Sequence, residues 1–109
     1  SRNYNIPKLV RKLDRYGVNV FHCSELKAGT ELFDSKRSLT QIVRAVTKKT
    51  IISCGNVLEG KQIKNIFKLG SNLIAFGRMS MVYPDLVLRF KNKKKINKRF
   101  TYDKWKKYN

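Results

Sequence analysis

Acidic residues are scarce: 7 Asp and Glu stand against 25 Lys and Arg, for a formal net charge of +18 over 109 residues. A charge this one-sided speaks to solubility and non-specific association more than to fold. Cysteine is nearly absent, and the 2 residues present, Cys23 and Cys54, do not make a disulfide scaffold. Each sits in an apolar, strand-like run and reads as a reduced, buried thiol of a cytosolic protein. The single histidine, His22, and the lack of any Cys-x-x-Cys exclude a zinc site, and no metal is expected. No apolar run approaches the ~18 to 20 residues of a membrane span, so no membrane role is expected. No apolar leader follows Ser1, so no secretory signal is visible, and a cytoplasmic location is expected. Ser1 in place of Met suggests a portion of a longer chain.

What is present is enough for a core. Hydrophobic residues make up 41% of the sequence, too many for a fully disordered chain, and the length suits one domain at most. The charge is uneven. Residues 89–109 hold ten Lys and Arg against Asp103 alone, net +9, while residues 1–88 hold fifteen against six acids, also net +9. This basic tail, residues 91–109, could track a phosphate backbone, with Phe100, Tyr102, Trp105 and Tyr108 as stacking surfaces. The favoured reading is a solvated Lys-rich end, with Trp105 packed on the rest of the protein.

Helices and strands alternate along the chain. Pro7 opens a helix over 8–16, where Leu9, Val10, Leu13 and Tyr16 form a stripe, and Gly17 stops it. Residues 18–23 form a short strand. Residues 24–38 lack a period and read as a loop, of a length that is often functional. Ser38 is a candidate N-cap for a helix over 39–48. Residues 50–54 form the second strand, residues 61–69 the third helix and residues 72–76 the third strand. A short helix is expected around 84–90, with Asp85 as its cap. The strands are nearly continuously apolar, which suits a parallel sheet covered on both faces.

Two strand ends share one design. The strand over 50–54 runs into Gly55-Asn56, and the strand over 72–76 runs into Gly77-Arg78. Glycine there lets backbone N–H groups approach a ligand, and a following helix N-terminus favours an anion. Arg78 adds a guanidinium fork suited to phosphate oxygens. Ordinary strand-to-helix turns, with Arg78 in a surface ion pair, remain the alternative on spacing alone.

The stretch from Thr50-Ile51-Ile52-Ser53-Cys54-Gly55-Asn56-Val57, through residues 69–78, to Tyr83-Pro84-Asp85-Leu86-Val87 resembles the C-terminal end of the old yellow enzyme family. These are FMN-dependent NAD(P)H oxidoreductases built on a (β/α)8 TIM barrel. The order and spacing match over residues 50–90, with Tyr83 standing where the family usually has Asn. Residues 6–49 fit the preceding βα unit less specifically. The resemblance implies an α/β fold that is a partial barrel: residues 1–90 would hold the last three βα units, with parallel strands six to eight. Gly55, Asn56, Gly77 and Arg78 would bind the FMN phosphate. It further implies NAD(P)H and a small-molecule electron acceptor as partners, with the rest of the barrel supplied by an N-terminal part.

The family's substrate-binding histidine pair, its tyrosine proton donor and the arginine that faces the flavin all precede this region. No catalytic residue is therefore assigned, and the 109 residues alone are expected to be inactive. His22 reads as a core or strand-end histidine, and Tyr83 as structural. Three strands cannot close a barrel of eight, so two sheet edges and the barrel-interior face would be uncovered, an aggregation liability. Two alternatives stay open. Dihydrouridine synthases, flavin barrels acting on RNA, have a similar Gly-Arg ending and a basic surface. They follow it with a Gly-Asn-Pro-Trp type segment, whereas this chain has Pro84-Asp85-Leu86-Val87. A basic nucleic-acid-binding module built on the tail is the other.

Overall fold

The computed structural model describes residues 5–32 and 35–94. The tail aromatics Phe100, Tyr102, Trp105 and Tyr108 and most of its lysines lie outside the described residues. The element order is α1 (Ile6–Arg15), β1 (Val20–Ser24), α2 (Leu39–Arg44), β2 (Thr50–Cys54), α3 (Gly60–Lys68), β3 (Leu73–Ala75), α4 (Arg78–Val82) and α5 (Leu86–Lys91).

Local chemistry sets most of these boundaries. The Asn5 side chain accepts from the Lys8 N–H at 3.1 Å and Pro7 occupies the first turn of α1. Gly17 leaves the helix at φ 91°. Ser38 caps α2 as expected: its Oγ accepts from the Gln41 N–H at 3.2 Å, and the Ser38 N–H donates to Gln41 Oε1 at 2.9 Å. This helix ends at Arg44 rather than Lys48, and the Arg44 side chain donates to the Thr47 carbonyl of the segment that follows.

The three strands form one parallel sheet in the order β1-β2-β3, with Val20 opposite Thr50 and Ile52 opposite Leu73. A helix lies in each connection. Burial alternates along β1 and β2, so one face is covered and the other is open. Phe21, Cys23 and Ile51 on the covered face pack with Val10 of α1 and Val43 of α2. A buried hydrogen bond of 2.6 Å between Thr40 Oγ1 and Ser53 Oγ ties α2 to β2. A second cluster holds Ala28, Val57 and Ile66, with Ile74 and Phe76 against it.

The strands are thus covered on one face only in this length of chain, as expected of three strands of a barrel, and not on both as in a complete parallel sheet. Val20 is 49% exposed and Leu73 53% exposed, on the face that would point into a closed barrel. His22 is exposed on that same face and is not a core residue. Of the two free cysteines, Cys23 is buried and Cys54 only half-buried. Beside β3, the end strand, an apolar groove of about 710 Å³ runs between α3 and α5. Phe67 and Phe90 line it, as do Lys61, Lys64, Lys91 and Lys93. Among the described residues no helix is long and apolar enough to cross a membrane.

The amino ends of the strands are tied together by Arg44. Its Nε donates to Gly70 O at 2.8 Å, its Nη1 to Thr47 O at 2.9 Å and its Nη2 to Asn72 Oδ1. Asn72 Oδ1 also accepts the Ile51 N–H at 2.9 Å. Thr47 in turn donates to Asp14 Oδ2 of α1 at 2.8 Å.

Candidate functional site

The carboxyl ends of β1, β2 and β3 meet around one cavity of about 250 Å³. Gly55, Asn56, Gly77 and Arg78 all line it, together with Glu25 and Leu26 from the segment after β1. Parallel pairing of Cys54 with Ala75 brings the two glycine turns side by side. In open and closed α/β sheets alike, this is the end where ligands are held.

Gly55 is required by the chain itself. Its φ is 142°, and a Cβ there would lie 2.1 Å from the Glu25 carbonyl oxygen. The segment after β1 is drawn in this close because the Glu25 N–H donates to Cys54 O at 2.9 Å and the Ala28 N–H to Gly55 O at 2.8 Å. Asn56 follows in the left-handed region, at φ 46°. Gly77 precedes α4 and has open space where its Cβ would be.

Helix dipoles contribute less than the sequence suggested. The helix after Gly77-Arg78 has five residues, too short for an appreciable macrodipole. The helix after Gly55-Asn56 does not start until Gly60, and the acid Glu59 stands at its N-cap, where Gln62 Oε1 accepts from the N–H groups of Leu58 and Glu59. The positive charge at the cavity comes from Arg78. Its side chain is exposed and makes no hydrogen bond or ion pair among the described residues, so the surface ion pair open as an alternative is not formed there.

Glu25 is the feature that sequence reasoning missed. It is half-buried, and its Oε1 is buried with no hydrogen-bond partner. Burial pushes its pKa up, while the backbone N–H groups of Leu39 and Gly29 pull it down. The nearby Cys23 thiol is pushed up to about 11, by burial first and by the charge of Glu25 second. An acid one residue beyond the end of a strand is the only signal the sequence offered.

Two further residues behave partly as expected. Asp85 does stand at the N-cap of α5, yet its carboxylate accepts from Arg89 Nε at 2.9 Å rather than from a cap amide. That hydrogen bond holds its pKa below the usual carboxylate range. Tyr83 lies under the same guanidinium, with Arg89 Cζ 4.5 Å from the ring centre. Both are structural.

The residues fit a small anion: two glycine turns, one half-buried and one exposed, and one unengaged guanidinium line the cavity. No family model matches the chain, and no curated protein matches it. Solved structures do. Morphinone reductase superposes with a TM-score of 0.62 at 23% identity, over 91% of this chain and 26% of its own. FabK from Thermotoga maritima gives 0.55 at 18% identity, over 70% of this chain and 25% of its own. Nitroalkane oxidase from Streptomyces ansochromogenes gives 0.54 at 18% identity, over 72% and 26%. The chain thus spans about a quarter of the length of the structures it resembles, and at these identities the likeness is one of fold. With its parallel βα units and uncovered inner face, the chain is a part of a (β/α)8 barrel.

Proposed function

We propose that this chain is the C-terminal segment of an FMN-dependent NAD(P)H oxidoreductase of the ene-reductase type, and that it supplies the FMN phosphate site. The observation that carries this reading is the convergence of Gly55, Asn56, Gly77 and Arg78 on one cavity at the carboxyl ends of adjacent parallel strands. The names of two structural relatives, a reductase and an oxidase, lend it support. On this reading β1, β2 and β3 are the sixth, seventh and eighth barrel strands.

The flavin, when bound, would carry hydride from NAD(P)H to a small-molecule acceptor. The work of this chain is binding and orientation. The backbone N–H groups of Gly55, Asn56 and Gly77 would hold the phosphate oxygens, and the Arg78 guanidinium would neutralise their charge. The groups that touch the acceptor belong to the N-terminal part of the barrel, so the 109 residues alone give no turnover. The two free thiols suit a cytoplasmic setting.

The test compares FMN with riboflavin, which lacks the phosphate. FMN is expected to shift the amide resonances of Gly55 and Gly77, weakly bound as it is without the rest of the barrel, and riboflavin to leave them unmoved. Equal perturbation by both ligands, or none by either, removes the phosphate-site reading.

A further inference from the structure

The helix α1 carries charge that the fold does not use. Lys8, Arg11, Lys12 and Arg15 are spaced i, i+3, i+4 and i+7, and all four are exposed. At about 100° per residue they share about 100° of arc, opposite Val10 and Leu13, which pack in the core. The stripe runs over about 10 Å of helix and contains no acid. Asp14, the one acid of α1, lies to its side, and its Oδ2 accepts from Thr47 Oγ1 at 2.8 Å. None of the four cations makes an ion pair or a side-chain hydrogen bond among the described residues.

This arrangement works against the helix. The pairs Lys8–Lys12 and Arg11–Arg15 at i+4, and Lys8–Arg11 and Lys12–Arg15 at i+3, all set like charges side by side. Lys12 and Arg15, in the last turn, at least suit the macrodipole. Lys8 stands in the first turn, where the dipole disfavours a cation and no acid offsets it. An anion that spans several of these charges relieves the repulsion. Two further features adjoin the stripe. Arg11 and Arg15 line a shallow hollow of about 350 Å³ with Asp14 and Val46. Tyr16, 78% exposed, borders the stripe at its C-terminal end, and the exposed Leu9 lies on the same side.

We propose that the outer face of α1 binds single-stranded nucleic acid: Lys8, Arg11, Lys12 and Arg15 engage successive phosphates, and Tyr16 stacks on an unpaired base. Cations beside an exposed aromatic ring are the pairing that suits a single strand, because every base offers a face on which to stack. An anionic lipid surface is less well matched: the apolar side chains that α1 would insert, Ile6, Val10 and Leu13, are turned into the core. None of the proposed residues lines the cavity at the carboxyl ends of the strands, so the proposal stands independently of the phosphate site.

The test measures binding of an oligothymidylate of about 12 nucleotides by fluorescence anisotropy across a salt series. The association constant of the wild type should fall steeply with salt, with a logarithmic slope of about −3 for four phosphates. Lys8→Glu with Arg11→Glu separates binding from folding. Each new acid stands four residues before a cation, Lys12 or Arg15, so the thermal midpoint should rise. Oligonucleotide affinity should nonetheless fall about 25-fold at about 0.1 M salt, and the slope should flatten by about 1.4. Lys61→Glu with Lys64→Glu, on α3, makes the same change in net charge and should weaken binding by no more than about threefold. Equal losses in the two double variants mean diffuse attraction and overturn the proposal, as does an α1 variant that binds like the wild type. A lowered midpoint in the α1 variant would mean that the fold itself needs these cations, and would overturn it too. Tyr16→Ala should lose about tenfold in affinity at an unchanged slope, with Tyr16→Phe binding like the wild type. Unchanged affinity in Tyr16→Ala overturns the single-strand assignment. Tighter binding to phosphatidylserine vesicles than to the oligonucleotide, or no binding to the oligonucleotide at all, overturns the whole proposal.

Discussion

Two arginines at opposite ends of the sheet are used in opposite ways. Arg44, at the amino ends of the strands, gives its guanidinium to three acceptors within the chain, on Thr47, Gly70 and Asn72. Arg78, at the carboxyl ends, makes no hydrogen bond or ion pair among the described residues and lines a cavity. The acids do not divide in this way: Asp14 accepts from Thr47 at 2.8 Å, and the Glu25 carboxyl, one of whose oxygens is buried without a partner, is held by the backbone N–H groups of Leu39 and Gly29. In a parallel βα architecture the amino ends hold the fold together and the carboxyl ends serve the ligand. The two arginines divide along that line.

The contrast can be tested by substitution, beginning with the largest effect. Arg44→Ala removes three charge-assisted hydrogen bonds, two from α2 to the segment that leads into β3 and one to Thr47 in the segment after α2. It should cost about 3 kcal/mol in urea denaturation. A loss near zero would dissolve the distinction between the two ends. Gly55→Ala sharpens it, because this residue lies at the ligand end yet is held by the fold. Its new Cβ would meet the Glu25 carbonyl oxygen at 2.1 Å in a φ region that disfavours Ala, so about 2 kcal/mol should be lost. Unchanged stability would mean that the segment after β1 is not packed there. Arg78→Ala should change stability by less than about 0.5 kcal/mol. It should nonetheless weaken sulfate binding by about tenfold or more, as loss of a charged donor does. A destabilised Arg78→Ala protein would place that side chain in the structural class with Arg44.

Much of this was legible in the sequence for local reasons. Pro7, the Ser38–Gln41 capping pair and the glycines at 17, 55 and 77 act within a few residues of themselves, and each marks a boundary found in the structure. The convergence of Gly55 and Arg78 followed from strand order, which short helical connections nearly dictate. What could not be read depends on distant partners. The run over 18–23 reads as nearly continuously apolar, yet Phe21 is buried and Val20 is not, because only one face of the sheet is covered by helices in this length of chain. The helix α4 has no side-chain cap and only five residues, too few to show a period. Glu25 is one acid in an aperiodic loop, and its burial is imposed by Gly55 and Ala28.

The lysines flanking β3 carry a consequence of another kind. An unpaired end strand beside a greasy groove is an invitation to stack copies of the chain into sheets. Lys61, Lys64, Lys91 and Lys93 stand at that margin, on a molecule of net charge +18. A second copy, itself strongly positive, would meet their charge, and added salt, by screening it, would be expected to lower the threshold at which the isolated chain precipitates.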